Sequence, residues 1–254
     1  MDDKAGGRPF AVPAYSVSAG IYDDMVGLCA FEHWEENFER LRSRYGLDTT
    51  AVADVACGTG LAAAHLARSG ARVFATDLSE CMLRVACAKN PGRLISYVKQ
   101  DMRYLQPPWR VTLVNCATDA LNHLMCEDDF GRALASFRAS LLPGGAVFFD
   151  MNTAWQLREG SDTSSWEFEV EGRRMSWRSA WDEEKKTFTL TMIIRDAGGR
   201  GRDVIEVHLE RAYDCGWVLE QLERAGFVDA EAMDAAGLGK PSQRTRRLLF
   251  VAFG

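Results

Sequence analysis

The chain has 254 residues, 47% of them hydrophobic, and a formal net charge of −6 from acids spread along its length. That is enough apolar material for a sizeable core, in one domain with an insertion or in two small ones, and it leaves no basic footprint for nucleic acid. No apolar run approaches the ~20 residues needed to cross a bilayer, and seven cysteines without metal-type pairs fit reduced thiols in a cytoplasmic protein.

Met1 to Pro13 is polar, carries Gly and Pro, and lacks the pattern of a secretory leader, so it reads as a loosely draped tail. Residues 1–29 together are expected to form an N-terminal arm or lid. From 30 to 160 apolar runs alternate with helical patterns, an order that makes strands parallel and covers both sheet faces with helices. Strands are expected at about 52–56, 72–76, 94–99, 111–116 and 145–150, with helices at about 31–45, 60–69, 79–89 and 127–141. Ser79 followed by Glu80 marks a helix start, and Leu141-Leu-Pro-Gly-Gly145 ends a helix and turns into a strand.

The periodicity then changes. Between 161 and 213 the runs Trp166–Val170, Met175–Trp181, Thr187–Ile194 and Val204–Leu209 alternate with period two, and Asp182–Lys185 and Asp196–Gly201 break them as turns. This predicts an antiparallel insert, serving as a lid or an oligomer interface. Residues 214–254 supply a helix over Gly216–Ala225 and two strands, at Phe227-Val228 and Arg247–Phe253, completing the core sheet. The fold class expected is α/β: a doubly wound, seven-stranded, mostly parallel sheet with an inserted antiparallel sheet. Arg244, Arg246 and Arg247 are expected to be a solvated basic end beside the last strand.

Chemistry concentrates at Val52–Gly60, an apolar run ending in Gly58 and Gly60, where absent side chains let a ligand approach the backbone. Seventeen residues after Gly60 a second run, Arg72–Asp77, ends on a carboxylate suited to ribose hydroxyls. The pair implies a nucleoside. Because Gly58-x-Gly60-x-x-Ala63 also satisfies a dinucleotide fingerprint, an NAD-dependent oxidoreductase is a competing reading at this point.

Four segments in order, Asp54–Gly60, Asp77-Leu-Ser-x-x-Met82-Leu, Gln100-Asp101-Met102-Arg and Leu142-Pro-Gly-Gly145, resemble class I S-adenosylmethionine-dependent methyltransferases. The resemblance runs from about Tyr15 to the C-terminus and points to a small-molecule branch with an antiparallel insert. It implies S-adenosyl-L-methionine as cofactor and a Rossmann-like methyltransferase fold. Ala56 and Gly58 would line its methionine and ribose side, Asp77 would hold the ribose, and Leu78 and Met82 would lie against the adenine. Asp101 and Met102 would cap that base, with Cys116 or Ala117 beneath the cofactor. Tyr22 would aim its hydroxyl at the reacting centre, and Trp34 would cover the methionine carboxylate with its N–H.

The same resemblance brings Cys116–Leu124 to the transferred methyl. His123 is the expected proton acceptor, since imidazole titrates near neutral pH. Asn122 would orient the acceptor, Asp119 would do so or steady His123, and Tyr15, Asn152 and Trp155 would line its pocket. A metal held by Asp150, Asn152 and His123 lacks any further ligand cluster, so none is expected. His208-Leu-Glu-Arg211-Ala-Tyr213 matches a pattern of the same branch, making His208 and Arg211 acceptor candidates even though strand alternation puts them on opposite faces. Trp166, Trp177 and Trp181 suit an acceptor wall, core packing or a dimer surface.

A sulfonium methyl is already activated, so the expected reaction is in-line transfer to a small metabolite, most simply to an amine such as an amino sugar or an amino-acid derivative. O-methylation is the alternative within the class; an NAD enzyme or a non-catalytic cofactor-binding scaffold are the alternatives outside it.

Overall fold

The computed structural model describes residues 9–161, 166–196 and 202–254. The first eight residues of the expected tail and the turn at 197–201 lie outside that range. The core follows the predicted order: α1 (Leu28–Tyr45), β2 (Ala51–Val55), α2 (Leu61–Arg68), β3 (Arg72–Asp77), α3 (Glu80–Lys89), β4 (Ile95–Lys99), β5 (Val111–Cys116), α4 (Glu127–Ser140) and β6 (Leu141–Asn152). After the insert come α6 (Cys215–Arg224), β11 (Val228–Asp234) and β12 (Arg247–Phe253).

Seven strands form one sheet in the order β11-β12-β6-β5-β2-β3-β4. β2 pairs in parallel with both β3 and β5, while β12 runs antiparallel to β6. Successive strands step outward from β2 to β4, then return to β5 on the other side of β2. That reversal opens a crevice at the carboxyl ends of β2 and β5, the general ligand position in such sheets.

Both faces of the sheet are covered. On one, Trp34, Phe38 and Leu41, spaced to share a face of α1, pack with Val73, Phe148 and Val251; on the other, Phe130 and Phe137 of α4 meet Phe149 and Phe250. Each buried Phe contributes on the order of 2 kcal/mol by removal of apolar area from water, which holds the strand ends in place. Among the described residues no helix is long and apolar enough to cross a membrane.

The insert forms a second sheet from β7 (Trp166–Val170), β8 (Arg173–Asp182), β9 (Thr187–Asp196) and β10 (Val204–Arg211), joined by adjacent antiparallel pairing. Two elements depart from expectation. Part of the supposed tail is a strand, β1 (Phe10–Val12), paired in parallel with β10 at the sheet's edge. Three residues with an exposed pattern carry no periodic signal; the ladder comes from the partner strand. A short helix, α5 (Ala154–Gly160), also follows β6, started by Thr153 accepting the Gln156 N–H at 3.2 Å.

Candidate active site

The crevice is a cavity of about 720 Å³. Its floor is the turn after β2, where Ala56 and Gly58 both adopt left-handed backbone, with φ of 53°. A Cβ on Gly58 would meet no atom within 4 Å, so that glycine leaves the floor open. Gly60 does something else: its Cβ would lie 2.8 Å from Tyr97 Oη and 3.0 Å from Ala86 Cβ, so it serves helix packing instead of ligand approach. Asp77, ending β3, ties the floor down by accepting the N–H of Gly58 at 2.9 Å and of Ser79 at 2.8 Å.

Leu78 lines the cavity while 65% exposed, an apolar side chain left largely uncovered by the protein. Met82 is both buried in the core and at the wall. Asp101, Met102 and Ala117 complete that side. Arg103 holds the Asp101 carboxyl below the usual carboxylate range, with Nε at 3.0 Å and Nη2 at 2.5 Å.

Asp54 belongs to this floor although the motif reading gave it no role. Its Oδ1 accepts from Asn115 Nδ2 at 2.6 Å, while its Oδ2 is buried at the cavity with no protein partner. Burial raises the group to about 7. An acid inside an apolar strand is the signal that could have singled it out. Asn115 also accepts the Trp34 indole N–H at 3.0 Å. Trp34 therefore lines the cavity with its ring only, and its N–H is not free for a cofactor carboxylate.

At the other end, Tyr15, Tyr22 and His123 meet. Tyr15 sits at φ 59°, its hydroxyl 3.0 Å from His123 Nε2. His123 Nδ1 lies 2.8 Å from the carbonyl of Leu209, an acceptor only, so Nδ1 carries the proton and Nε2 accepts from Tyr15. Burial lowers the His123 pKa and raises those of both tyrosines. The Tyr15 ring packs edge-on against Tyr22 at 6.0 Å and His208 at 4.5 Å.

Several expected residues lie outside the cavity, each for a visible reason. Cys116 points into the core beside Val114 and Phe149, leaving Ala117 at the wall. Asn122 is consumed as a clasp: its Nδ2 donates to the carbonyls of Asn152 and Arg211, and its Oδ1 accepts the Asn152 N–H. Asn152 in turn donates to Glu210 at 2.9 Å. Arg211, facing away from His208, bonds the Met125 carbonyl and Glu127. His208 is buried behind Tyr15, next to Glu206. Trp155 sits under the Arg246 guanidinium.

Arg247 is no solvated end. It pairs with Asp119 at 2.7 Å and with Asp150, and Asp150 also accepts the Thr118 N–H. This clasp holds two consecutive left-handed residues, Thr118 and Asp119, and launches the 3₁₀ turn Ala120–His123. It also occupies the carboxylate considered for a metal; among the described residues no group of three potential metal ligands gathers. The tryptophans do not wall the site: Trp177 packs with Phe168, Trp181 bonds Glu183, and Trp166 is 67% exposed.

Residues 52–145 match the family model of the methyltransferase domain. A solved S-adenosylmethionine-dependent methyltransferase from Clostridium acetobutylicum superposes with a TM-score of 0.79 at 21% identity, over 94% of this chain and 98% of its own. The chain carries a methyltransferase domain and has the fold of S-adenosylmethionine-dependent methyltransferases. That settles the cofactor as S-adenosylmethionine and sets the NAD reading aside. YqeM of Bacillus subtilis (strain 168), named as a methyltransferase without a stated acceptor, is 27% identical over 94% of this chain and 96% of its own. The dTDP-3-amino-3,6-dideoxy-alpha-D-glucopyranose N,N-dimethyltransferase of Streptomyces fradiae is 35% identical over 41% of this methyltransferase and 40% of its own length.

Proposed function

We propose that the enzyme methylates the nitrogen of a small amine, with the acceptor bound between Tyr15, Tyr22 and His123. The observation that carries this reading is the hydroxyl–imidazole pair at the cavity, in which the His123 Nε2 lone pair is directed at the Tyr15 hydroxyl. Amino-sugar N-methylation, the activity named for the Streptomyces fradiae relative, supports the same class of acceptor.

The residues at the floor fit the cofactor. The unpartnered Asp54 Oδ2 suits the donor's ammonium, Asp77 its ribose hydroxyls, and exposed Leu78 with Met82 its adenine. When bound, S-adenosylmethionine supplies a sulfonium methyl, an electrophile that needs no further activation.

The protein's contribution is then alignment, exclusion of water and removal of one proton. An amine loses a proton either before its lone pair attacks or from the ammonium that results. Tyr15 accepts that proton's hydrogen bond on its oxygen while passing its own hydroxyl proton to His123 Nε2. Leu209 holds the Nδ1–H and stabilises the imidazolium. A low His123 pKa keeps the imidazole neutral, and so able to accept, at physiological pH.

The test is a labelled-methyl transfer screen over small amines and matched phenols. Transfer to amines and its loss in His123→Ala, with S-adenosylhomocysteine affinity retained, would support the reading. Transfer confined to phenols would replace it with O-methylation.

A further inference from the structure

The acceptor end depends on a residue that touches neither cofactor nor cavity. Glu206, fully buried on β10, receives five hydrogen bonds on one carboxylate. Its Oε1 accepts the N–H of Val17 at 2.5 Å and of Ser18 at 3.0 Å; its Oε2 accepts the Ser18 hydroxyl at 2.6 Å and the Tyr15 N–H at 3.1 Å. His208 Nε2 lies 3.3 Å from the same Oε2. Four of these five donors belong to the arm, not to the lid sheet that carries the acid.

The arm is anchored in two different ways. Farther out, β1 pairs with Val204–Glu206 through backbone, which any sequence could do. At residues 15–18 no ladder continues, and the carboxylate takes the N–H groups that a strand partner would have taken. Tyr15 needs such an anchor because its φ of 59° is disfavoured for a bulky side chain. It is gripped from both sides: Glu206 takes its N–H, and Ser79 Oγ donates to its carbonyl at 2.9 Å. Ser79 also gives its own N–H to Asp77, so the cofactor floor and the arm share that contact.

The lid therefore contributes twice to one catalytic geometry. Leu209 on β10 orients His123, and Glu206, three residues earlier on the same strand, places the residue that His123 bonds.

We propose that Glu206 is a positioning residue, a latch whose buried carboxylate holds the arm so that the Tyr15 hydroxyl meets His123. This rests on the roles given above to Tyr15 and His123, and it makes the lid strand part of the reaction geometry.

The experiment compares Glu206→Ala, Glu206→Gln, Tyr15→Phe and the double variants by turnover, S-adenosylhomocysteine affinity and the ¹⁵N resonance of His123 Nε2. Glu206→Ala is expected to lower kcat by roughly the factor Tyr15→Phe does, ~10- to 100-fold. Cofactor affinity should stay within about twofold. In the Tyr15→Phe background the same change should cost less than about twofold, because the two act through one contact. The Nε2 resonance should move in Glu206→Ala as it does in Tyr15→Phe. Glu206→Gln keeps the volume but brings an NH₂ against N–H donors, so it should move both readouts part-way if the alanine variant folds poorly.

Losses that multiply in the double variant, or an unmoved Nε2 resonance in a folded Glu206 variant, overturn the latch. The resonance judges the latch without turnover: if Tyr15→Phe is fully active, the proton route fails, whereas a shifted resonance in Glu206→Ala still upholds the positioning.

Discussion

The two ends of the cavity are built by opposite rules. At the cofactor end the floor comes from neighbouring strand ends: Gly58 and Asp77 are 19 residues apart and joined by one hydrogen bond. At the proposed acceptor end Tyr15, His123 and Leu209 come from the N-terminal segment, a 3₁₀ turn and the second sheet, with 108 residues between the first two and 86 between the last two. A floor made by consecutive crossovers is set as soon as the sheet forms. The acceptor end exists only once a second sheet has docked, so it is the part that can vary in acceptor while the cofactor stays the same.

The sharpest way to break the comparison is to damage one end and look for an effect at the other. His123→Ala should lower kcat on the order of 10²-fold, the lower range for losing a general base, since alignment supplies most of the rate here. S-adenosylhomocysteine affinity by calorimetry should be unchanged. A parallel loss of affinity would mean that the two ends are one structural unit.

Gly58→Val is the converse. A β-branched residue at φ 53° is strained, and its side chain would enter the open floor. Affinity for S-adenosylhomocysteine should fall by ~50-fold, about 2.3 kcal/mol, because strain and occlusion act together. The His123 Nε2 resonance should stay nearly where it is, since neither Tyr15 nor Leu209 touches Gly58 directly and Glu206 still holds the Tyr15 N–H.

A pH series sharpens the cofactor end further. Burial raises Asp54 to about 7, so in the free enzyme the carboxyl is neutral below that pH and charged above it. Only the charged form pairs with an ammonium. Affinity for S-adenosylhomocysteine should therefore climb as pH rises from about 5.5 to 7, by up to ~10-fold per unit, and then level off. Asp54→Asn should flatten that slope. A slope that survives in the variant would move the ammonium partner elsewhere.

The same contrast explains what could be read from the chain alone. The five parallel core strands were visible because such strands are short apolar runs punctuated by turn residues, and the floor residues sit at their ends. Of the antiparallel edge strand β11 only the start was legible, since most of its side chains are exposed or half-buried. Alternation also sorted His208 from Arg211 correctly by face, yet it could not say which face meets the core. Asn122, Asn152 and Arg211 look like acceptor ligands in sequence because polar groups beside a catalytic segment serve chemistry and clasps alike. Only the partners, the backbone groups of β6 and β10, decide between the two. Glu206 and β1 were invisible for the same reason: their role lies in a partner almost 200 residues away.

Asn122→Ala should therefore act on stability. It removes three hydrogen bonds of a buried side chain to backbone groups of Asn152 and Arg211, at a cost of about 1–3 kcal/mol in chemical unfolding. Cofactor affinity should hold in the folded fraction. A large loss of kcat at constant stability would return Asn122 to the acceptor.

The smallest effect is expected at Trp155, one of the aromatics that the sequence suggests for the pocket wall. It stands on the first turn of α5, where Arg246 stacks over its ring at 5.0 Å, and it contributes nothing to the cavity surface. An exposed cation–π contact is worth about 0.5–1 kcal/mol, and removing it leaves no buried polar group unpaired. Trp155→Ala should cost that much stability and leave kcat, KM and cofactor affinity within about twofold. A rise in KM for the amine of tenfold or more would show that the acceptor extends past Thr118 and over α5, which would enlarge the acceptor end well beyond the Tyr15–His123 pair.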